Sequence, residues 1–521
     1  MSFQPPYPPL DPEFIAVRFR EPATLSMRAA VMREHTSFHE RLELPKEKYT
    51  VFRLSGARSA TPEDVLATIA ELETTSEITR IAQVYRVRDN LVLATERLVV
   101  GIRPGGVGAV GDLKRHGYDI LGGENNRYLV RLGEFDDPIE TASELVRSSV
   151  VEFAEPDFIT IFNPFPAPSA PSKLIPRPEF DEFLDDQTAL RLTNSLQVHG
   201  NNVFGDPSVR IAILDLGVDT THPDLKGVVN CVYDAIEDDV FQQPASHEYH
   251  GTACAGLAAA EANRVGIRGV GAGCSLMAIR VARACPNSGL WSMSSNDVVR
   301  AIDWAWQHGA AVLNLSWYDT AFSKCVKHAL VRARTLGRGG AGCVVIAAAG
   351  NRRVRTDTPS VDFPARLYGV LAVAASTSKD DPKRVTKPTD WESAAGPQVG
   401  IAAPGVENLT TDNVDTAGFV QVPSPAGDFL KFSGTSSAAP IVAGAAGLII
   451  SVNPYLTERQ VRQILCSTAR KVPKPKDYLP DGRNDRMGFG RLDVAAAVQK
   501  AIEMKDEMGE EPGARWVPPN C

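Results

Sequence analysis

The sequence has little of what marks a membrane-spanning or nucleic-acid-binding protein. Across 521 residues, 55 lysines and arginines stand against 63 aspartates and glutamates, which gives a formal net charge of -8. A chain of this sign has no electrostatic attraction to nucleic acid or to an anionic membrane, so we expect neither as a partner. One stretch alone, residues 437–452, approaches the apolar length of a spanning helix, and its alanines and glycines suit a protein core instead.

Secretory and metal-binding signatures are also missing. The first 22 residues contain no basic segment followed by an apolar run, so we expect a cytoplasmic protein, with export by a non-classical route left open. The eight cysteines all lie after residue 230 and form no Cys-x-x-Cys motif, which argues against a zinc site. Buried free thiols are the first interpretation, and disulfides are the alternative in an exported protein.

The most informative segment that is present reads GTSSAAP, at residues 434–440. The residues that follow, up to 452, are small or apolar on every side and predict a buried helix that ends at Asn453 and Pro454. Glycine and threonine permit a sharp turn into this helix, and the free N–H groups of a helix start attract developing negative charge. Ser436 is therefore a candidate nucleophile, with its own N–H as a donor to an oxyanion.

A serine hydroxyl needs a base, and three further residues complete a catalytic set. His250 opens a small-residue helix predicted over 251–260, and Asp215 ends a buried parallel strand predicted over 209–214. Ligands collect at the carboxyl ends of such strands in open α/β sheets. Asn351 ends another buried strand, CVVIAAAGN. We expect Asp215 to orient His250, His250 to take the proton of Ser436, and the Asn351 amide to bind the oxyanion with the Ser436 N–H.

The blocks DLG, HGTACAG, AAAGN and GTSSAAP occur in the order Asp, His, Asn, Ser, and with them the chain resembles the subtilisin-like serine peptidases from about residue 190 to about residue 500. The resemblance implies an α/β fold, a mostly parallel twisted sheet with helices on both faces. It also implies a serine endopeptidase that acts on proteins or peptides and needs no cofactor for its chemistry. Cys254 and the Ser316-Trp317 pair are similar to the kexin-like branch of the family.

The resemblance further implies a cleft in which the substrate backbone adds as a strand. The positions that match this cleft are Ser316, Trp317, Tyr318, Ala349, Gly350 and Asp362. Tyr318 stands where the family has glycine, so we expect a narrowed cleft and a restricted range of substrates. Asp362 falls at the floor of the primary specificity pocket and would favour lysine or arginine; its pairing with Arg366 or with solvent is the alternative.

A family calcium site is implied as well. Its residues would be the side chains of Asp224 and Asn263 and the carbonyl groups of Glu261, Val265 and Ile267. Oxygen ligands of this kind suit a structural calcium ion. The alternative is that Asp224 is a turn residue and Asn263 a loop cap.

The amino-terminal third has a different pattern. It predicts a strand at 96–103, a helix at 108–117, strands at 118–121 and 126–132, a helix at 137–149 and a strand at 150–162. This β-α-β-β-α-β order is the ferredoxin-like α+β arrangement, and it resembles the propeptide of subtilisins, which acts as folding chaperone and intramolecular inhibitor. The motif AEPD at 154–157 resembles the end of that propeptide.

These patterns divide the chain into five parts: a mobile tail at 1–45, the propeptide-like domain at 46–161, a proline-rich linker at 162–190, the peptidase domain at 191–504 and a second mobile tail at 505–521. If Asp362 selects basic residues, self-cleavage is expected after Lys173, and an uncleaved spacer is the alternative.

A GxGxxG match at Gly106, Gly108 and Gly111 has the form of a dinucleotide fingerprint, but a hairpin follows it, so we interpret it as turn glycines. A catalytically impaired pseudo-peptidase that binds peptides is the alternative function.

Overall fold

The computed structural model describes residues 10–21, 23–32, 36–54, 61–87, 90–106, 108–115, 117–133, 136–163, 166–171, 181–286, 288–318, 322–353, 360–387, 390–414, 417–420, 428–508 and 517–519. They form two compact units. The first takes its residues from 1–164, 283–298 and 320–326, and the second from 165–282, 299–319 and 327–521.

The strands are β1 (Leu10–Phe19), β2 (Thr36–Leu44), β3 (Tyr49–Leu54), β4 (Ile78–Val87), β5 (Asn90–Ile102), β6 (Asp119–Glu124), β7 (Arg127–Arg131), β8 (Val151–Phe162), β9 (Arg210–Asp215), β10 (Val229–Asp234), β11 (Ser275–Arg280), β12 (Arg283–Ala284), β13 (Trp291–Ser294), β14 (Ala310–Leu315), β15 (Val344–Ala348), β16 (Asn351–Arg352), β17 (Leu371–Ser376), β18 (Glu392–Ser393), β19 (Val399–Pro404), β20 (Asn408–Thr411) and β21 (Phe429–Phe432). The α-helices are α1 (Leu25–Met32), α2 (Pro62–Leu72), α3 (Gly108–Arg115), α4 (Pro138–Leu145), α5 (Thr188–Leu192), α6 (Ser195–Gly200), α7 (His250–Ala259), α8 (Ser295–Gln307), α9 (Lys324–Leu336), α10 (Thr435–Val452), α11 (Glu458–Ser467) and α12 (Val494–Met508). Short 3₁₀ turns lie at Leu184–Asp186, Arg338–Gly340 and Pro475–Asp477.

The first unit is built on one sheet, in the order β12-β13-β8-β5-β4-β1-β3-β2, with β7 also paired to β5 and β6 to β7. From β5 to β8 the elements alternate as β5-α3-β6-β7-α4-β8, the order that the sequence predicts. Strands β6 and β7 form an antiparallel hairpin, so the glycine-rich turn before α3 does not open a parallel crossover. Helix α4 starts with Pro138 after Asp137, whose carboxylate accepts the N–H groups of Ile139 and Glu140.

The prediction of a mobile tail at 1–45 is wrong for the described part of that segment. Strand β1 lies inside the sheet, between β3 and β4, and β2 pairs with β3. Ile15 and Val17 are buried in one apolar cluster, and Ala16 between them is buried in another. A strand covered on both faces lacks the polar alternation that marks a half-exposed one, and the neighbouring prolines obscured it further.

The second unit contains a seven-stranded, fully parallel sheet in the order β10-β11-β9-β14-β15-β17-β19. Its strands are short apolar runs because helices cover both faces of a parallel sheet. The predicted α/β class with a mostly parallel sheet is confirmed. Among the described residues, one helix, Thr435–Val452, is long and apolar enough to cross a membrane, and 89% of it is buried inside the structure as the core helix.

The predicted linker and carboxyl-terminal tail are both too long. Phe162 is the last residue of β8, and α5 begins at Thr188, so each end of the segment 162–190 is regular structure. Lys173 lies outside the described residues. Helix α12 continues to Met508, and the Pro519 carbonyl accepts a hydrogen bond from Arg210. Both errors have the same cause. Long-range packing gives regular structure to polar and proline-rich segments, and the amino-acid composition of a segment does not reveal such packing.

Six cysteines of the described residues are free thiols, and all but Cys466 are buried. Cys231 takes part in a disulfide. The interpretation of free thiols therefore applies to these six and not to Cys231.

Candidate active site

Three neighbouring parallel strands bring the predicted catalytic residues to one edge of the sheet. Strand β9 ends at Asp215, β14 leads directly to Ser316, and β15 leads to Asn351. These strands lie side by side in the order β9-β14-β15. Because parallel strands end at the same edge, the carboxylate, the Ser316 carbonyl and the amide converge there.

The histidine and the aspartate form a short, buried pair. Both Asp215 carboxylate oxygens lie 2.9 Å from Nδ1 of His250, the first residue of α7. Asp215 is 1% exposed, and its Oδ1 also accepts the Leu216 N–H. A carboxylate on Nδ1 holds the proton at that nitrogen and leaves Nε2 as the basic atom. The edge of the Phe432 ring packs on the imidazole at 5.0 Å between centroids and restricts its rotation.

Ser436 lies in the first turn of α10, and a proline in the same helix shapes its surroundings. Pro440 has no N–H, so the Ser436 carbonyl four residues earlier lacks its helical partner. That carbonyl instead accepts the Ser316 hydroxyl at 3.0 Å and the Cys254 thiol at 3.6 Å. The Ser436 hydroxyl donates to the Ser316 carbonyl at 2.7 Å. The hydroxyl proton must leave this hydrogen bond before a base can take it.

Cys254 links the base to the nucleophile. Its Sγ lies 3.9 Å from His250 Nδ1, one turn away on the same helix, and contacts the Ser436 carbonyl. The thiol is fully buried, and burial, followed by the charge of Asp215, raises its pKa well above the ordinary value. Possible ligand atoms of Asp215, His250 and Cys254 lie within 4.8 Å of one another. Sequence spacing does not reveal this cluster, because Asp215 belongs to another element.

The geometry around Asn351 matches an oxyanion site. The Asn351 Oδ1 atom accepts the Thr435 N–H at 3.0 Å and the Thr435 hydroxyl at 3.1 Å, which turns the NH₂ end of the amide the other way. Gly434 has φ +117°, and a Cβ there would lie 3.3 Å from Asn351 Nδ2 and 3.6 Å from the Ser436 nitrogen. Two N–H donors therefore border the space that the missing Cβ leaves open. Thr435, which fixes the amide, is a residue that sequence reasoning missed.

The residues predicted for the cleft have different surroundings. Trp317 is buried, and its Nε1–H donates to the Leu214 carbonyl at 2.9 Å, so this side chain supports the strand before Asp215. Tyr318 is half-buried. The Ala349 carbonyl accepts the Asp362 N–H at 3.0 Å, and the Gly350 N–H donates to the Thr435 hydroxyl at 3.1 Å.

Asp362 is 1% exposed and forms a two-pronged ion pair with Arg352. The guanidinium nitrogens lie 2.7 Å and 3.0 Å from the two carboxylate oxygens. The Arg366 N–H donates to the backbone carbonyl of Asp362. The structure thus pairs this carboxylate inside the protein, with a residue that sequence reasoning did not single out.

The residues predicted to bind calcium lie together. One carboxylate oxygen of Asp224 accepts the Ile267 N–H at 2.9 Å, and the other is buried with no hydrogen-bond partner among the described residues. Burial raises the pKa of Asp224 to about 8. Asn263 Oδ1 accepts the Val265 N–H at 2.9 Å, and the Glu261 N–H donates to the Asp224 carbonyl. A buried carboxylate oxygen without a proton donor fits a cation, so the donor set is compatible with calcium.

In the first unit, two carboxylates of β8 cap the starts of two helices. The Glu155 carboxylate accepts the Ser323 hydroxyl at 2.7 Å and the N–H groups of Lys324 and Cys325 at 2.8 and 3.0 Å, at the start of α9. Asp157 accepts the Ser294 hydroxyl at 2.8 Å and the Asn296 N–H at 2.9 Å, at the start of α8. Strand β8 also pairs with β13, which precedes α8. Sequence reasoning noticed the AEPD motif but not the helices that its acids cap.

In the second unit, part of the predicted linker lies beside the strand that leads to Ser436. Ser169 and Lys431 of β21 exchange two backbone hydrogen bonds, at 2.9 and 2.7 Å, in antiparallel register. Pro166 Cδ lies 3.1 Å from the position of a Cβ at Gly434. The segment 166–171 therefore lies beside β21 at Ser169 and close to Gly434 at Pro166.

Comparison with known proteins agrees with this geometry. The model of the Subtilase family matches residues 206–490, more than half of the chain. Subtilisin E of Bacillus subtilis is 33% identical over 302 residues, which cover 58% of this chain and 68% of that protein. A calcium-dependent protease of Trichormus variabilis is 31% identical over 327 residues, which cover 57% of this chain and 47% of that protein.

Among solved structures, fervidolysin from Fervidobacterium pennivorans, described as a keratinolytic enzyme related to subtilisin, superposes with a TM-score of 0.60. The match covers 78% of this chain but only 61% of that one, at 24% identity, and is evidence for the fold alone. The match to the family model and the identity to the curated relatives show that the chain belongs to the subtilase family of serine endopeptidases.

Proposed function

We propose that the chain cleaves peptide bonds of protein substrates with Ser436 as nucleophile, His250 as general base, Asp215 as its orienting carboxylate and Asn351 as oxyanion donor. The observation that carries this proposal is the buried His250–Asp215 pair at the sheet edge where Ser436 and Asn351 also lie. The pair leaves imidazole Nε2 basic, as proton removal from a serine hydroxyl requires.

The reaction would proceed in two halves. The Ser436 oxygen attacks the substrate carbonyl carbon while His250 takes the hydroxyl proton, and the Asn351 amide and Ser436 N–H stabilise the negative oxygen. His250 then returns the proton to the departing amine, which leaves an acyl-enzyme. Water attacks this ester with His250 again as base, and the second tetrahedral intermediate collapses to release the acid and restore Ser436.

We also propose that the first unit restrains this activity as an intramolecular inhibitor. Its support is the pair of caps that Glu155 and Asp157 place on the first turns of α9 and α8, since both helices continue into the second unit. A separate restraint is proposed for the segment around Ser169 in the second unit, because a peptide beside β21 and the Ser436 turn would occupy space that a substrate needs.

A structural calcium ion is proposed at Asp224 and Asn263, with carbonyl groups of Glu261, Val265 and Ile267. The unpartnered, buried Asp224 oxygen supports it, and one relative is named a calcium-dependent protease. When bound, the ion would neutralise the carboxylate and tie the loop after α7 to the segment before β10. The ion has no step in the chemistry.

A restricted substrate range remains part of the proposal, with the half-buried Tyr318 at the predicted cleft edge as its support. Its test is the degradation of denatured casein: a rate typical of broad subtilisins contradicts a restricted range. Selection of lysine or arginine by Asp362 loses support, since Arg352 already pairs with that carboxylate.

The decisive experiment is covalent labelling of the full chain with a fluorophosphonate. We expect labelling at Ser436 that disappears in Ser436→Ala and in His250→Ala. Absence of labelling in the parent, under conditions where a subtilisin is labelled, would favour the alternative of a peptide-binding pseudo-peptidase.

A further inference from the structure

The ion pair of Arg352 and Asp362 is closed by further hydrogen bonds. Besides the two bonds to the carboxylate, the guanidinium donates to the Ser360 carbonyl at 2.8 Å and to the Asn351 carbonyl at 3.0 Å. The Arg352 side chain is 14% exposed and that of Asp362 1%. The Ser360 hydroxyl oxygen is a fifth acceptor, at 3.4 Å. The charges cancel, and these five acceptors hold the planar guanidinium in a fixed orientation.

This pair lies directly against the backbone that carries the oxyanion amide. A Cβ at Gly350 would lie 2.1 Å from the Asp362 Oδ2 atom and 3.1 Å from an Arg352 guanidinium nitrogen. The next residue is Asn351, whose amide borders the site of the reacting carbonyl. The substrate residue that supplies this carbonyl therefore projects its side chain from a point close to the pair, within reach of a lysine or arginine.

We propose that Arg352 is the residue that decides which side chain is accepted there, by making the Asp362 carboxylate unavailable to a basic substrate. This inference rests on the proposed endopeptidase activity. A lysine or arginine of the substrate would have to displace Arg352 from the buried Asp362 carboxylate and so deprive its guanidinium of two charged acceptors. An uncharged substrate side chain needs no counter-charge from the neutral ion pair. The positive charge of a lysine or arginine would lack a partner there, so the site selects against basic residues.

The test compares kcat/KM for reporter peptides of one sequence that carry Arg, Glu, Leu or Phe before the cleaved bond. In the full chain, with active sites titrated by the fluorophosphonate, Phe or Leu is expected to exceed Arg by at least tenfold. Arg352→Gln frees the carboxylate, and the Arg:Phe ratio should then rise at least tenfold. Asp362→Asn frees the guanidinium instead, so the Glu:Phe ratio should rise and the Arg:Phe ratio should not.

Arg353→Gln is the matched control, since it removes the same charge from the exposed neighbouring residue and should leave both ratios within twofold. The double variant Arg352→Gln with Asp362→Asn should lose both gains. If Arg352→Gln fails to fold, the Glu:Phe ratio of Asp362→Asn tests the inference instead. Three outcomes would overturn the inference. They are Arg:Phe and Glu:Phe ratios that no substitution changes, an arginine reporter that no variant cleaves, and a parent chain that already prefers arginine. Absence of labelling in the parent defeats the proposed activity itself.

Discussion

Pro440 and Gly434 show how single positions in this chain shape the surroundings of Ser436, the proposed nucleophile. One removes a helical hydrogen bond, and the Ser436 carbonyl so released is taken by Ser316 and Cys254. The other adopts a positive φ that a side chain would strain, and it leaves room beside the two oxyanion donors. Both roles depend on backbone geometry, so the sequence motif signals the site without explaining its parts.

The position of Cys254 gives a prediction about inhibition. Burial and the raised pKa slow the reaction of this thiol, but a mercurial that does bind adds a heavy atom next to His250 and the Ser436 turn, so we expect activity to fall at least tenfold on prolonged incubation. Cys254→Ala should be insensitive to the reagent. Cys274→Ala, which removes a buried thiol at another place, should stay as sensitive as the parent in the same reporter assay. Inhibition that persists in Cys254→Ala contradicts the assignment.

Glu155 and Asp157 support a prediction about inhibition by the first unit. Each carboxylate caps a helix start, where loss of a cap costs about 1 kcal/mol. In the full chain, Glu155→Gln with Asp157→Asn should weaken restraint and speed fluorophosphonate labelling by roughly 3- to 30-fold. Glu152→Gln, on the exposed side of the same strand, is the control and should change the rate little. Equal rates in all three proteins would mean that the caps serve folding alone.

The elements of the second unit were largely predictable, and those of the first only in part. The sequence predicts strands β9 and β15 well, because a short apolar run between polar turns has few interpretations other than a buried strand in an α/β chain. Helix α10 starts at Thr435 instead of Ser437, so Ser436 lies in its first turn. Strand β1 was missed because a strand that is buried on both faces has no alternation of polar and apolar residues. The Arg352–Asp362 pair was missed because side-chain pairing follows tertiary geometry.

Calcium leads to a prediction about the stability of the full chain, measured in a Ser436→Ala background to prevent self-digestion. Calcium at about 100 times its Kd should stabilise the protein by about 2.7 kcal/mol, and chelator should lower the melting temperature accordingly. Asp224→Asn should abolish the response, whereas Asp186→Asn, at an exposed acid of the same unit, should keep it. Identical melting curves of the parent with calcium and with chelator would contradict the site.

His199 gives the chain a specific sensitivity to acid. Burial lowers the pKa of His199 from 6.5 to about 4, and the nearby charge of Arg268 is a second, smaller cause. The His199 Nε2–H donates to the Val270 carbonyl at 3.1 Å. Because the unfolded state takes up the proton first, the stability that this neutral imidazole contributes is intact above pH 6.5 and is lost as pH falls towards 4. The loss between pH 7 and pH 5 should be about 2 kcal/mol.

The measurement is urea unfolding of the Ser436→Ala chain at both pH values. His199→Gln keeps a donor for the Val270 carbonyl but has no proton to gain, so its stability should fall by about 2 kcal/mol less than that of the parent over this interval. A variant as acid-sensitive as the parent would show that other groups cause the loss.

The composition of the first unit has a consequence for biosynthesis. Besides the amino-terminal segment it uses only residues 283–298 and 320–326, all of which precede Ser436 in the chain. During translation the ribosome therefore synthesises every part of this unit more than a hundred residues before Ser436, the proposed nucleophile. Under the proposed restraint, the nascent chain would therefore contain the whole inhibitory unit before Ser436 is synthesised.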